Sequence, residues 1–475
     1  MNQFKQHWAA LAVMAGMLIM TVSAQADDAQ LLQRGAYLAT AGDCIACHST
    51  PTGKPFAGGL AIATPVGQVI STNITPSISA GIGNYTLVQF SAALRRGVRV
   101  DGQHLYPAMP YTSYAQLSDE DVQALYVYFE QGVTAVDDKP VATALPFPFN
   151  IRLSMAAWNL LFLDDKPFVP DPGKSVEWNR GAYLVEGLAH CSTCHTPRTL
   201  LMGEDKSLAL AGADLGTWYA PNISTDDFSG IGTWSEAQIA EYLRSGRLEG
   251  KAQAGGPMAE AIDHSLRHLS DADRLAMATY LKTVAPQHDI RDSQAAHTWG
   301  QPYNGIGALR GAPVALDTSK FNGAQLYDAN CASCHRANGE GSAQWGGKDG
   351  ASLPSLFHNT TLGHRNSNNL VMAILEGVQR QPGGAEVLMP AFGRKLNDEQ
   401  IASLSNYLLP HYGNFAAEVS VEQVKTLRAG GATSSLLIVA RTALGVLALI
   451  IIGALLLLWG RRRFKRARPG ANDWR

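Results

Sequence analysis

Six cysteines occur in the 475 residues, and all six fall into one short pattern used three times. The pattern reads Cys44-Ile45-Ala46-Cys47-His48, then Cys191-Ser192-Thr193-Cys194-His195, then Cys331-Ala332-Ser333-Cys334-His335. Two thiols at this spacing can add across the two vinyl groups of one haem, and the adjacent histidine then ligates the iron. Zinc would need the Cys pairs to combine into four-ligand sites, yet each pair lies more than a hundred residues from the next. A redox dithiol needs no following histidine. Three covalently bound haems c are therefore expected, on Cys44 and Cys47, Cys191 and Cys194, and Cys331 and Cys334, with His48, His195 and His335 on the iron.

A histidine-ligated haem that transfers electrons commonly takes a methionine as its other axial ligand, which raises its potential. Met109, Met258 and Met389 follow their histidines by 61, 63 and 54 residues, and each adjoins a proline. Proline stiffens a loop that must aim a sulfur. These three are the expected sixth ligands. Competing histidines are His104 in the first copy, His264 and His268 in the second, and His358 or His364 in the third. Met155, Met277 and Met372 read as core filler. No nucleophile–base pair is evident, and Gly305-Ile306-Gly307 lacks the strand–helix setting of a dinucleotide fold. No catalytic residue is expected on this chain.

The elements that must position these residues repeat with them. Arg34-Gly35-Ala36-Tyr37-Leu38 and Arg180-Gly181-Ala182-Tyr183-Leu184 precede the first two Cys pairs, and Asn322-Gly323-Ala324-Gln325-Leu326-Tyr327 precedes the third. Each predicts a short helix whose glycine permits close packing, with the Tyr or its neighbour on the apolar face. Each copy ends on Ser118-Asp119-Glu120-Asp121, Ser270-Asp271-Ala272-Asp273 or Asn397-Asp398-Glu399-Gln400 ahead of apolar residues at helical spacing. A capping Ser or Asn followed by acids is a helix start. Copies one and two also share Asn73-Ile74-Thr75 with Gly81-Ile82-Gly83, and Asn222-Ile223-Ser224 with Gly230-Ile231-Gly232. Copy three replaces this block with the glycine-rich run from Gly339 to Gly350.

The predicted fold is mainly α, with three tandem haem domains and a C-terminal transmembrane helix. The expected boundaries are a signal peptide over 1–26, domains over 27–136, 173–290 and 319–415, linkers over 137–172, 291–318 and 416–435, a span over 436–459 and a basic tail over 460–475. Lys5, the apolar run from Ala9 and Ala24-Gln25-Ala26 form the export signal. An uncleaved anchor is the alternative, but the apolar run is short for spanning. Thr442 to Trp459 is uncharged and long enough to cross a bilayer. The tail from Gly460 carries seven basic residues and one acidic. That places the tail in the cytoplasm and the rest in the periplasm. The body between signal and span is net acidic, which argues against nucleic acid as a partner. The first linker, with Leu145-Pro146-Phe147-Pro148-Phe149, is too apolar for a flexible tether and should pack on a domain face or a partner.

Several stretches resemble the trihaem cytochrome c subunits of bacterial membrane-bound dehydrogenases. They include Gly42-Asp43-Cys44, Ser71-Thr72-Asn73-Ile74-Thr75-Pro76, the run from Leu105 to Tyr114 through Pro107-Ala108-Met109-Pro110, and the linker ending at Asn150. The resemblance implies cytochrome c-like domains. It also implies that electrons leave a separate catalytic subunit and reach ubiquinone through this chain, with a small third subunit in the complex. A flavin-dependent partner of the gluconate 2-dehydrogenase type is favoured. A quinoprotein alcohol or aldehyde dehydrogenase is the alternative. A self-contained haem enzyme or an oxidase subunit ranks lower, since every copy offers a methionine.

Overall fold

The computed structural model describes residues 28–309, 311, 317–342, 353–380, 387–432 and 434–466. The expected signal peptide, most of the glycine-rich run in copy three and the end of the basic tail lie outside these residues. The described chain is mainly helical, with four two-stranded antiparallel ribbons. The ribbons pair Ala61–Thr64 with Gly67–Ile70, Ala213–Asp214 with Tyr219–Ala220, Arg247–Leu248 with Ala252–Gln253, and Val378–Arg380 with Val387–Met389. None was expected from the sequence; each is too short to show a period.

Every copy is built on the same crossing. The helix over 28–41 crosses Asp119–Val127, Val176–Ala182 crosses Asp271–Leu281, and Gly323–Asn330 crosses Asp398–Tyr412. The glycine of each repeat lies at the crossing point. A Cβ on Gly35, Gly181 or Gly323 would land on the carbonyl oxygen of Ala124, Ala276 or Ser403, and on the Cβ of Tyr128, Tyr280 or Tyr407. The second helix of each pair starts as expected: Ser118, Ser270 and Asn397 accept from the backbone N–H three residues on.

The apolar cores do not divide into three. Leu38, Leu117 and Phe129 of copy one form a single core with Leu184, Leu188, Met277 and Leu281 of copy two. Copy three has its own, around Leu326, Met372, Leu404 and Leu409, which the Trp218 ring of copy two enters. Met277 and Met372 are core filler as expected, whereas Met155 is only half-buried, on a linker helix with no buried residue.

That linker is folded against the body. Asn159 accepts from Tyr111 and donates to the Arg96 carbonyl, while Trp158 donates to the Leu201 carbonyl of copy two. The Phe168 N–H donates to the carbonyl of Gln116. At the other end of the chain, Leu436–Arg466 is one continuous helix. Its stretch from Leu436 to Arg463 is long and apolar enough to cross a membrane, and none of its most apolar window is buried. Arg463 lies over the Trp459 ring at 3.9 Å.

Widening a crossing glycine should separate its helix pair. Gly181→Leu is expected to cost about 3 kcal/mol, the upper end of the range for an overpacked core site, read as a lower denaturation midpoint. An unchanged midpoint would mean the crossing does not set the packing.

Candidate functional site: three Cys-x-x-Cys-His turns

Each motif folds as one turn of helix directly after its crossing helix: Cys44–His48, Cys191–His195 and Ala332–His335. In copies one and two the chain enters the turn through a residue in the left-handed region, Asp43 (φ 51°) and His190 (φ 39°). No disulfide joins any of the six cysteines. Among the described residues, no three His, Cys, Asp or Glu side chains converge as a zinc site requires.

The histidines are held alike. His48 Nδ1 lies 2.6 Å from the Thr72 carbonyl oxygen, His195 Nδ1 2.6 Å from that of Pro221, and His335 Nδ1 2.9 Å from that of Pro354. Burial lowers the pKa of all three imidazoles. A neutral ring whose Nδ1–H donates to a carbonyl has its Nε2 lone pair free for a metal. The three acceptor carbonyls escaped the sequence reading, since a backbone atom leaves no trace in residue identity.

The Asn-Ile block explains how that carbonyl is fixed. Asn73 Oδ1 accepts from the Thr75 N–H at 2.8 Å, and its Nδ2 donates to the Val136 carbonyl at 2.7 Å. Asn222 repeats both contacts, with Ser224 N–H and the Gln287 carbonyl. Each asparagine thus clamps the loop that presents the acceptor, one residue before it, to the strand of chain leaving the copy. Gly81 and Gly230 are required beside it, because a Cβ there would strike the Thr75 or Ser224 carbonyl.

One cavity of about 830 Å³ joins the second and third sites. Its walls carry Cys191, Cys194, His195 and Met258 on one side and Cys331, Cys334, His335 and Met389 on the other. His264 and His268 are exposed, and His268 is bonded to the Asp263 carbonyl. His358 is exposed, whereas His364 lines the cavity, and burial lowers its pKa to about 4. Met109 is half-buried against the shared core of copies one and two. His104 is half-buried, and its backbone carbonyl accepts from Arg152. In copies two and three an apolar cavity, paired thiols and an imidazole anchored through Nδ1 suit a covalently held haem.

Copies one and two are locked by a reciprocal exchange. Arg34 pairs with Asp121 at 2.6 Å, and Tyr183 of copy two donates to the same carboxylate at 2.5 Å. Arg180 pairs with Asp273 through two bonds of 2.8 Å, and Tyr37 of copy one donates to that carboxylate at 2.6 Å. Tyr37 and Tyr183 therefore reach into the neighbouring copy: the Tyr37 ring packs against the shared core beside the buried Leu38, as expected, while its hydroxyl belongs to the junction. The lock brings the first two motifs together. The Cys44–His48 turn packs on Gly256–His264, the helix that carries Met258. The Asp43 carboxyl lines the cavity, pushed up to about 8 by burial and by Glu260.

With this geometry in place, comparison with known proteins is direct. The cytochrome c family profile matches residues 179–285 and 321–411. The fructose dehydrogenase cytochrome subunit of Gluconobacter japonicus is 47% identical over 456 residues, 92% of each chain. The chain belongs to the cytochrome c subunits of dehydrogenase complexes. The gluconate 2-dehydrogenase cytochrome c subunit of Pantoea cypripedii is 41% identical over 88% of this chain and 94% of its own. The cytochrome c subunit of the quinone alcohol dehydrogenase of Gluconobacter oxydans (strain 621H) is 36% identical over 91% and 90%. Covalent haem c and electron transfer follow from that membership, and the cytochrome subunit works with a separate catalytic partner.

The junction carboxylate has a pH signature. Burial alone would raise the Asp273 carboxyl, but the Arg180 and Tyr37 hydrogen bonds hold it below its ordinary value. Its contribution is complete above the unfolded pKa of about 3.9 and is lost as pH falls through the lower folded value. Asp273→Asn should cost about 2 kcal/mol at pH 7, as for a charge-assisted bond, and the gap from the native subunit should shrink at acid pH. Denaturation at pH 7 and pH 3 measures it; a gap independent of pH would contradict the charged lock.

Proposed function

We propose that this subunit carries three haems c and relays electrons singly from a flavin-dependent dehydrogenase subunit to ubiquinone. The observation that carries the proposal is the threefold recurrence of a half-buried histidine whose Nδ1 donates to a carbonyl beside a Cys pair. In this reading, Cys44 and Cys47, Cys191 and Cys194, and Cys331 and Cys334 form the thioethers. His48, His195 and His335 would ligate the iron, with Met109, Met258 and Met389 as its other protein ligands. The haems, when bound, supply reversible one-electron chemistry. The chain holds each ring orientation, excludes water from the cleft and keeps the histidines neutral. The exposure of His264 and His268, beside the cavity position of Met258, supports the methionine in copy two.

The three haem domains would cover 27–136, 173–290 and 319–415. The motif chemistry and export signal favour a periplasmic body, and the apolar helix followed by basic residues favours an inner-membrane anchor with a cytoplasmic tail. The relatives named for fructose and gluconate favour a catalytic partner that oxidises a sugar or sugar acid; a small third subunit completes the proposed complex. The relative named for quinone alcohol dehydrogenase supports a second reading, in which the partner is a quinoprotein. The cofactor extracted from the co-purified catalytic subunit, flavin or quinone, decides between them.

A pyridine haemochrome assay on the purified chain should return three haems; a value of two would remove one copy from the scheme. Met389→Ala should lower the midpoint potential of one haem and leave the other two unchanged, since a methionine ligand raises potential. Redox titration that finds all three unaltered would reject that ligand and turn attention to His364.

A further inference from the structure

The first linker leaves an apolar face without a covering partner in the fold. The helix Ser154–Phe162 has no buried residue, and around it Phe147, Leu153, Leu160 and Leu161 are exposed, Leu160 at 88%. Copy two extends the same face. Trp158 donates to the Leu201 carbonyl, the Phe162 ring packs against Gly203, and Leu200 is 79% exposed beside them. Single exposed leucines are ordinary, but a contiguous group of this kind marks an interaction surface.

The chain itself indicates what lies beneath. After the last helix of copy three, Gly431 passes against Gly216 of copy two, and the apolar helix starts at Leu436. Arg441 Nε then donates to the Phe147 carbonyl at 3.0 Å. Arg441 is the last charge before the uncharged stretch Thr442–Trp459. At about 1.5 Å per residue that stretch spans roughly 27 Å, close to the hydrocarbon thickness of about 30 Å. The bond therefore ties the linker to the level at which the helix enters lipid. An arginine there can stretch to the headgroups, and a Trp beside leucines is the usual composition of an interfacial helix.

We propose that the linker helix and the Leu200–Leu201 loop form a second, monotopic membrane contact, seated in the outer face of the bilayer that the C-terminal helix crosses. This rests on the reading of Leu436–Trp459 as a span. The contact sets copy two, whose motif ends only five residues before Leu200, closer to lipid than chain order implies. Copy three adjoins the span in sequence, yet the span reaches the linker between copies one and two.

The test uses the intact holo-complex in phosphatidylcholine–phosphatidylglycerol vesicles containing a phosphatidylcholine with a diazirine near its headgroup. Photolysis and peptide mapping should find lipid adducts in 147–162 and 200–201 as well as at the start of the span. The double variant Leu160→Asp with Leu161→Asp should lose the linker adducts while keeping the span adducts and the haem absorbance. Adducts confined to the span overturn the proposal and assign the face to a protein partner. Absence of adducts from the span rejects the membrane reading itself, and the contact with it.

Discussion

Two helices must cross so closely that only glycine fits between them, and the rest of each copy follows from that constraint. The contact at Gly35, Gly181 and Gly323 draws the N-terminal helix onto the C-terminal one, backbone against backbone. The motif turn follows beyond the crossing, and in copies two and three its Cys pair and histidine line the internal cavity. A side chain at the crossing would tilt the first helix and move every sulfur and nitrogen that depends on it. The site is precise because its supports are backbone contacts, which carry no rotamer freedom.

Repetition hides a division of labour. Copies one and two are fused by two Arg–Asp pairs, each completed by the other copy's tyrosine, and they share one core. Copy three has Asn322, Gln325 and Gln400 at the places of the Arg, Tyr and Asp, so it has no means of joining that lock. It meets copy two differently. Arg380, almost wholly buried, crosses to the Ser245 carbonyl and to Gln253 at 2.8 Å each. The cavity that runs from His195 to His335 passes beside this arginine. In the proposed relay such a junction would help, because the cavity leaves no wall of protein between the second and third motifs.

The histidine contacts show how little of a redox site is side chain. Each motif histidine is aimed by a carbonyl, and in copies one and two that carbonyl is held by the next residue, an asparagine. The asparagine acts only on the loop. Its two hydrogen bonds exclude other loop conformations, which is why a polar residue is retained at a buried position. Copy three reaches the same end with Pro354 inside a different loop, so the requirement is the acceptor and not the block.

Much of this protein was legible in residue order. The Cys-x-x-Cys-His runs, the repeated glycine helices, their Ser and Asn caps and the apolar C-terminal helix are local patterns, each set by neighbours a few positions apart, and local chemistry needs no fold to be read. Tertiary structure alone decided which copies share a core, that Tyr37 and Tyr183 serve the opposite copy, which carbonyl holds each histidine, and that the span meets the linker at Phe147. Those facts join atoms tens or hundreds of residues apart. A hydrogen bond to a backbone oxygen, or a helix docked on a distant loop, depends on geometry that any number of sequences can reach, and it leaves no spacing by which it could be recognised beforehand.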